Sequence, residues 1–167
     1  MGKSTFGHRT YGTITMRGAA TNLTVGKYCS LASGIVADGG FNHNSKFVST
    51  FPFAVALQHV PNLKTHIEHK GDINIGNDVW IGEEVLIMSG VTIGDGAVVG
   101  IRSIITKDIP PYTIVVGANR VIRRRFTDEQ IDFLIKLKWW DMPDDRVDLI
   151  AHLLSSENIN ELISRYQ

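Results

Sequence analysis

Six histidines are spread along the chain, and one of them stands where the pattern of the sequence breaks. His43 lies in GGFNHNSKFVSTFPF, residues 39–53, a short way past Gly39 and Gly40. Neutral imidazole accepts a proton near pH 7, so a histidine on a glycine-flanked loop suits a general base that activates a hydroxyl. The plain alternative is a solvated loop histidine. His8 and His152 sit near the termini, while His59, His66 and His69 share the stretch with His43 but lack its context; these five read as solvated or pocket residues. Cys29, the single cysteine, is a candidate nucleophile. Its place in the repeat described next points it inward, where cysteine acts as a small hydrophobe, so a covalent route through it is disfavoured.

The pattern that His43 interrupts is a count of six. From Ile75 the chain divides into IGNDVW, IGEEVL, IMSGVT, IGDGAV, VGIRSI, ITKDIP and PYTIVV. The first position is aliphatic at Ile75, Ile81, Ile87, Ile93, Val99 and Ile105; the fifth is small or β-branched at Val79, Val85, Val91, Ala97, Ser103, Ile109 and Val115. A helix needs a period near 3.6 and a simple strand a period of 2, so neither accounts for this. A parallel β-helix does, with three short strands per coil and first-position aliphatics stacked inside. An Ile- and Gly-rich β-sandwich is the poorer alternative. VGKYCS and LASGIV obey the same rule earlier, placing Val25 and Leu31 inside with Cys29 and Ile35 at the fifth position. The interval from Val25 to Ile75 is not a multiple of six, so residues 38–72 are an inserted loop.

Beyond residue 126 the period changes. TDEQIDFLIKLKWW opens with Thr127 and carries Gln130 three residues on, a capping box ahead of Ile131, Leu134, Ile135 and Leu137 at helical spacing. PDDRVDLIAHLLSS and ENINELISRY predict two further helices. The expected organisation is a mainly β unit over 1–126, with the protruding loop 38–72, and a small C-terminal α-helical cap over 127–167. Such a cap would cover the open end of the coil, anchored by Trp139 and Trp140. A substrate platform is the other use for that tryptophan pair.

Composition narrows the function. The 17 basic and 17 acidic residues of the 167 cancel, which gives no broad electrostatic reason to expect nucleic acid. No run approaches the roughly 20 apolar residues that span a bilayer, so membrane insertion is not expected. The absence of a leader-like run and the lone cysteine predict a cytoplasmic protein.

The ladder, with NDVWIG (77–82), VTIGDGAVVG (91–100), TKDIPPY (106–112) and RVIRRRF (120–126), resembles the hexapeptide-repeat acyltransferases. GKYCSLASG, NHNSKFVSTFPF and KLKWWD are similar to the xenobiotic-acetyltransferase branch, which includes streptogramin and type B chloramphenicol acetyltransferases and O-acetyltransferases of surface polysaccharides. The resemblance implies left-handed β-helices assembled as homotrimers, active sites at the subunit interfaces, and acetyl-CoA as co-substrate. It makes His43 the catalytic base and assigns coenzyme contacts to the backbone at Glu83 and Ile101, and to Thr106, Lys107, Arg120 and Arg123. Cations there suit the pyrophosphate and 3′-phosphate of CoA, although RVIRRRF also reads as a solvated basic turn. Trp80 either shapes the pocket or covers a coil face.

Two segments depart from the family. GANR lacks the usual proline and is one residue shorter, which leaves the register of Arg120 open; VGIRS replaces VGAGS and puts Ile101 and Arg102 where the pantetheine arm would run. Arg102 could clash, turn outward or add a phosphate contact. The expected reaction is direct acetyl transfer to a hydroxyl of a sugar or glycoside; an antibiotic acceptor and an amino-sugar nitrogen are the alternatives. A zinc hydratase on this scaffold needs three converging histidines, and the ladder from Ile75 to Val116 has none, so no catalytic metal is expected. A non-catalytic trimeric scaffold is the remaining possibility.

Overall fold

Short Ile- and Val-rich strands build three sheets in the computed structural model, which describes residues 2–18, 21–40, 43–64 and 70–166. The first sheet joins β1 (Ser4–Phe6), β3 (Leu23–Val25), β6 (Ile73–Ile75) and β9 (Thr92–Ile93). The second joins β4 (Ser30–Leu31), β7 (Trp80–Ile81), β10 (Val98–Val99), β12 (Thr113–Val116) and β13 (Arg120–Arg124). The third joins β2 (Ile14–Arg17), β5 (Ile35–Asp38), β8 (Leu86–Met88) and β11 (Ile104–Ile105). From β3 to β11 successive strands visit the first, second and third sheets in turn, so the chain advances as a three-sided coil. Pairing between coils is parallel; the hairpin of β12 with β13 is antiparallel.

The six-residue count has a direct physical basis in this geometry. Ile75 lies opposite Ile93, Ile81 opposite Val99 and Ile87 opposite Ile105, an advance of 18 residues, or three hexads, per coil. Each hexad therefore supplies one side of the coil. The first-position and fifth-position rows from Ile75 to Val115 are all buried, and they form one core with Leu23, Val25, Cys29, Leu31, Ile35 and Ala37. Burying an isoleucine contributes roughly 2 kcal/mol. Ser103, the polar member of the row, donates its hydroxyl to the Gly100 carbonyl at 2.6 Å and so leaves nothing unsatisfied.

The corners are made by residues in the left-handed region. Tyr28 (φ 57°), Asp78 (φ 55°), Gly96 (φ 67°) and Tyr112 (φ 53°) stack along one corner, between the first and second sheets. Gly96 is required there: a Cβ would lie 2.3 Å from the Tyr112 ring.

The outward rows of the three sheets differ in character. The first shows Thr5, Thr24, Asn74 and Thr92, a polar row that suits water. The second shows Ser30, Trp80, Val98 and Ile114, and the third Thr15, Val36, Leu86 and Ile104. Trp80 and Ile104 are 56% and 47% exposed in the single chain.

The chain leaves the coil after β5 and re-enters it at β6, and the described residues between them include one helical turn, α1 (Phe53–Ala56). The coil resumes in register, since Val25 pairs with Ile75 across the excursion. Both ends of the excursion are pinned. Gly39 donates its N–H to the Arg17 carbonyl and accepts the Thr21 hydroxyl, each at 2.7 Å; at re-entry Asp72 accepts from the backbone and amide of Asn22.

After β13 come α2 (Asp128–Leu137), a 3-10 turn over Trp139–Asp141, α3 (Asp144–Leu154) and α4 (Ile159–Tyr166). Thr127 and Gln130 form the reciprocal capping box at the start of α2. These helices do not sit over the open end of the coil; they run down the Tyr28–Tyr112 corner. Trp139 packs on Tyr28 with ring centroids 4.8 Å apart, Lys27 pairs with Asp141, and His8 and Arg9 of the first coil meet Asp144. Ile131, Leu134, Val147, Ile150, Leu153, Leu162 and both tryptophans close a second core on Tyr112. Trp139 and Trp140 are thus anchors, and β13 is what covers the last strand of the second sheet. Among the described residues no helix is long and apolar enough to cross a membrane.

Candidate functional site

His43 lies just past the pinned exit of the excursion and is exposed. Its Nδ1 is 2.5 Å from the Thr50 carbonyl oxygen. A carbonyl only accepts, so in the neutral ring Nδ1 carries the hydrogen and Nε2 keeps its lone pair. A carbonyl seven positions along the chain thus sets the neutral tautomer with Nε2 unprotonated. Phe51 and Phe53 pack edge to face at 4.9 Å beside it in sequence. Of the other histidines, His8 is tied to Asp144, His59 and His152 are exposed, and His66 and His69 lie outside the described residues.

Glu83 and Ile101 occupy the same corner on successive coils, between the second and third sheets, and both are exposed. Arg102 donates its backbone N–H to the Glu83 carbonyl at 2.8 Å, which locks the two coils together there. Gly82 allows the close approach, because a Cβ would lie 2.7 Å from the Ile101 nitrogen. Of the three courses open to the Arg102 side chain, the structure has it turned outward: its Nε reaches the Glu84 carboxylate at 2.6 Å. The pair holds the Glu84 carboxyl below its ordinary range and leaves Ile101 as the bulk on that corner, 60% exposed.

Thr106 and Lys107 follow β11, and Arg120 begins β13; one residue joins them. Asn119 accepts the backbone N–H of Thr106 at 2.9 Å and of Lys107 at 3.3 Å, and donates to the Thr106 hydroxyl at 2.7 Å. Sequence reasoning passed over Asn119. Its signal was the short GANR turn, where asparagine tolerates the left-handed φ of 58° that the turn demands. Arg123 lies farther along β13, opposite Ile114, with its guanidinium on the Arg124 carbonyl at 3.0 Å. The structure therefore brings Glu83 to Ile101, and Thr106 and Lys107 to Asn119, the residue before Arg120, while His43 belongs to the excursion and Arg123 to the outer strand.

Cys29 is fully buried and donates its thiol to the Gly76 carbonyl at 3.1 Å; burial pushes the thiol up from its usual value. Burial and the raised thiol pKa disfavour it as a nucleophile. A separate polar cluster lies where the helices meet the corner. Arg125 donates to the Gly96 carbonyl at 2.7 Å, stands over the Tyr112 and Phe126 rings, and is 3.5 Å from the Asp78 carboxylate. Burial pushes Asp78 up to about 6, against the pull of Arg125. The Tyr112 hydroxyl is buried there without a hydrogen-bond partner.

Comparison with known proteins gives a consistent picture. Residues 72–107 match the family model for the bacterial transferase hexapeptide of six repeats. The chain is 42% identical over 149 residues to a chloramphenicol acetyltransferase of Agrobacterium fabrum, covering 86% of this chain and 71% of that one. A galactoside acetyltransferase solved with coenzyme A is 30% identical, with a TM-score of 0.54 over 84% of this chain and 60% of the other. A hexapeptide-repeat acetyltransferase of Vibrio cholerae complexed with acetyl-coenzyme A is 25% identical, with a TM-score of 0.51 over 73% and 60%. This chain thus spans about 60% of the length of those two solved chains.

Proposed function

The chain belongs to the hexapeptide-repeat acetyltransferases, acyltransferases with acetyl-CoA as co-substrate, and on that footing we propose that it transfers acetyl directly to a hydroxyl of a sugar or glycoside with His43 as general base. The observation that carries this reading is the bond from His43 Nδ1 to the Thr50 carbonyl. Nε2 takes the proton of the acceptor hydroxyl as its oxygen attacks the thioester carbonyl carbon. The carbon–sulfur bond breaks, and the same nitrogen returns the proton to the sulfur. A backbone N–H at a coil turn stabilises the developing negative oxygen. The likeness to a galactoside acetyltransferase supports a sugar acceptor.

The residues present fit the coenzyme. Lys107, Arg120 and Arg123 are exposed cations on one end of the coil, suited to phosphates, and the Glu83–Ile101 corner offers backbone groups for the pantetheine amides. The likeness to solved family members supports a left-handed coil. The apolar outward rows of the second and third sheets support a homotrimer, because two different apolar faces about 120° apart on a three-sided coil can meet in a heterologous contact, which closes into a ring when the rotation between copies divides the circle. We place the reaction in the cytoplasm, where the free thiol of Cys29 suits reducing conditions.

A second reading, acetylation of a drug hydroxyl, is favoured by the 42% identity to a chloramphenicol acetyltransferase. N-acetylation of an amino sugar would use the same base. Thiol release from acetyl-CoA against free glycosides, nucleotide sugars, an amino sugar, chloramphenicol and a streptogramin separates these. The proposal requires turnover with a sugar hydroxyl that is lost in His43→Ala, and turnover with a drug alone would replace it by the second reading.

A further inference from the structure

The excursion that carries His43 has a charge of its own. Between residues 43 and 64 the sequence holds Lys46 and Lys64 and neither aspartate nor glutamate, in a chain whose charges cancel as a whole. Neither lysine enters any of the ion pairs found among the described residues. The fold brings the two together, 18 positions apart in sequence, on a single concavity of about 390 Å³ lined also by Phe47, Val48, Phe53 and Leu63. That volume falls within the range of small-molecule sites, roughly 300–1,000 Å³. Val48 and Phe53 are exposed apolar groups in it.

Two ammonium groups on one concavity repel each other and attract an anion, and the aromatic and aliphatic side chains between them suit the face of a sugar ring or an apolar substituent. Lys46 is three residues from His43, so the concavity and the base belong to the same excursion. We propose that this concavity is an acceptor subsite and that the acceptor carries a negative charge, a carboxylate or a phosphate, beside the hydroxyl that is acetylated. The inference rests on the reading of His43 as base, which puts the acceptor at this excursion. It separates the acceptor classes left open above, because chloramphenicol and a simple glycoside are uncharged.

The test uses one sugar in three forms: neutral methyl glycoside, uronic acid and sugar 1-phosphate. Binding is measured calorimetrically to the full chain carrying His43→Ala and saturated with acetyl-CoA, so that no turnover intervenes. One of the anionic forms should bind on the order of tenfold more tightly than the neutral form at low salt, and which one does so tells carboxylate from phosphate. The preference should shrink at high salt, because exposed charges are screened. It should fall to near parity in Lys46→Met/Lys64→Met and return in Lys46→Arg/Lys64→Arg, which also shows that the excursion keeps its shape. Equal or tighter binding of the neutral form, or a preference that survives the methionine pair, overturns the proposal. If the anion preference follows the lysines while His43→Ala turns over as fast as the native protein, the base assignment fails and the charged subsite stands. If His43→Ala abolishes turnover of a neutral acceptor and no anion preference exists, the reverse holds.

Discussion

Asn119 holds Thr106 at both ends of its amide: the Nδ2–H donates to the Thr106 hydroxyl at 2.7 Å, and Oδ1 accepts the Thr106 backbone N–H at 2.9 Å. The same oxygen takes the Lys107 N–H, so the turn before β13 and the turn after β11 move as one piece. Asn119→Ala removes three hydrogen bonds without touching a cation. We expect KM for acetyl-CoA to rise about five- to tenfold with kcat little changed, the signature of lost ground-state binding. An unchanged KM in steady-state kinetics would remove this turn from the coenzyme site.

His43→Ala should lower turnover by on the order of 10² or more while acetyl-CoA affinity and oligomeric state are preserved. The ring is exposed and bonds a carbonyl within its own loop, and it is not part of the packed core of the coil. Single-turnover thiol release, with coenzyme binding measured in parallel, separates the chemical defect from a binding defect.

The proposed trimer, if it assembles through the apolar outward rows, makes Ile104 a sensitive position. It is half exposed in the single chain and continues the row of Val36 and Leu86. Ile104→Glu should shift the protein to monomer in sedimentation velocity, and thiol release should fall with it if the sites lie between subunits. The side chain points away from the core, so the helical and strand signals in circular dichroism should persist.

Asp78 predicts a particular pH dependence. Its native carboxyl holds a proton up to about pH 6, whereas the ordinary value is 3.8. Between those values the native state binds more protons than the unfolded one, so this group's contribution falls as pH rises through the window. Asp78→Asn cannot ionise. Its melting temperature relative to the native protein should therefore rise from pH 4 to pH 6.5 and level off above. A constant difference across that range would mean that Arg125 holds Asp78 ionised throughout.

Tyr112→Phe should leave stability unchanged or raise it by about 1 kcal/mol, because the hydroxyl is buried without a partner while the ring is what packs on Gly96, Phe126 and Arg125. Chemical denaturation checks this. A loss of more than about 1 kcal/mol would show that the hydroxyl is bonded in solution, by water.

The coil was legible in the sequence because its rule is local and repeats. One hexad makes one side, so Ile75, Ile81 and Ile87 have to face inward on successive sheets if any of them does, and the same translation carries the row on to Ile105. The break in count between Val25 and Ile75 announced the excursion, and Thr127 with Gln130 announced a helix start through a bond that spans three residues. Tertiary structure alone decided where remote pieces meet. The helices were expected over the end of the coil, yet they lie along its corner, because Tyr28, Lys27 and His8 offer partners to Trp139, Asp141 and Asp144 more than a hundred residues away. No periodicity encodes such a contact; it depends on the direction in which each turn sends the chain and on which side chains can fill the space between. The junction of Asn119 with Thr106 and the convergence of Lys46 and Lys64 on one concavity are of the same kind. The repeat determines the scaffold, and the loops that leave it acquire their meaning only when folding sets them side by side.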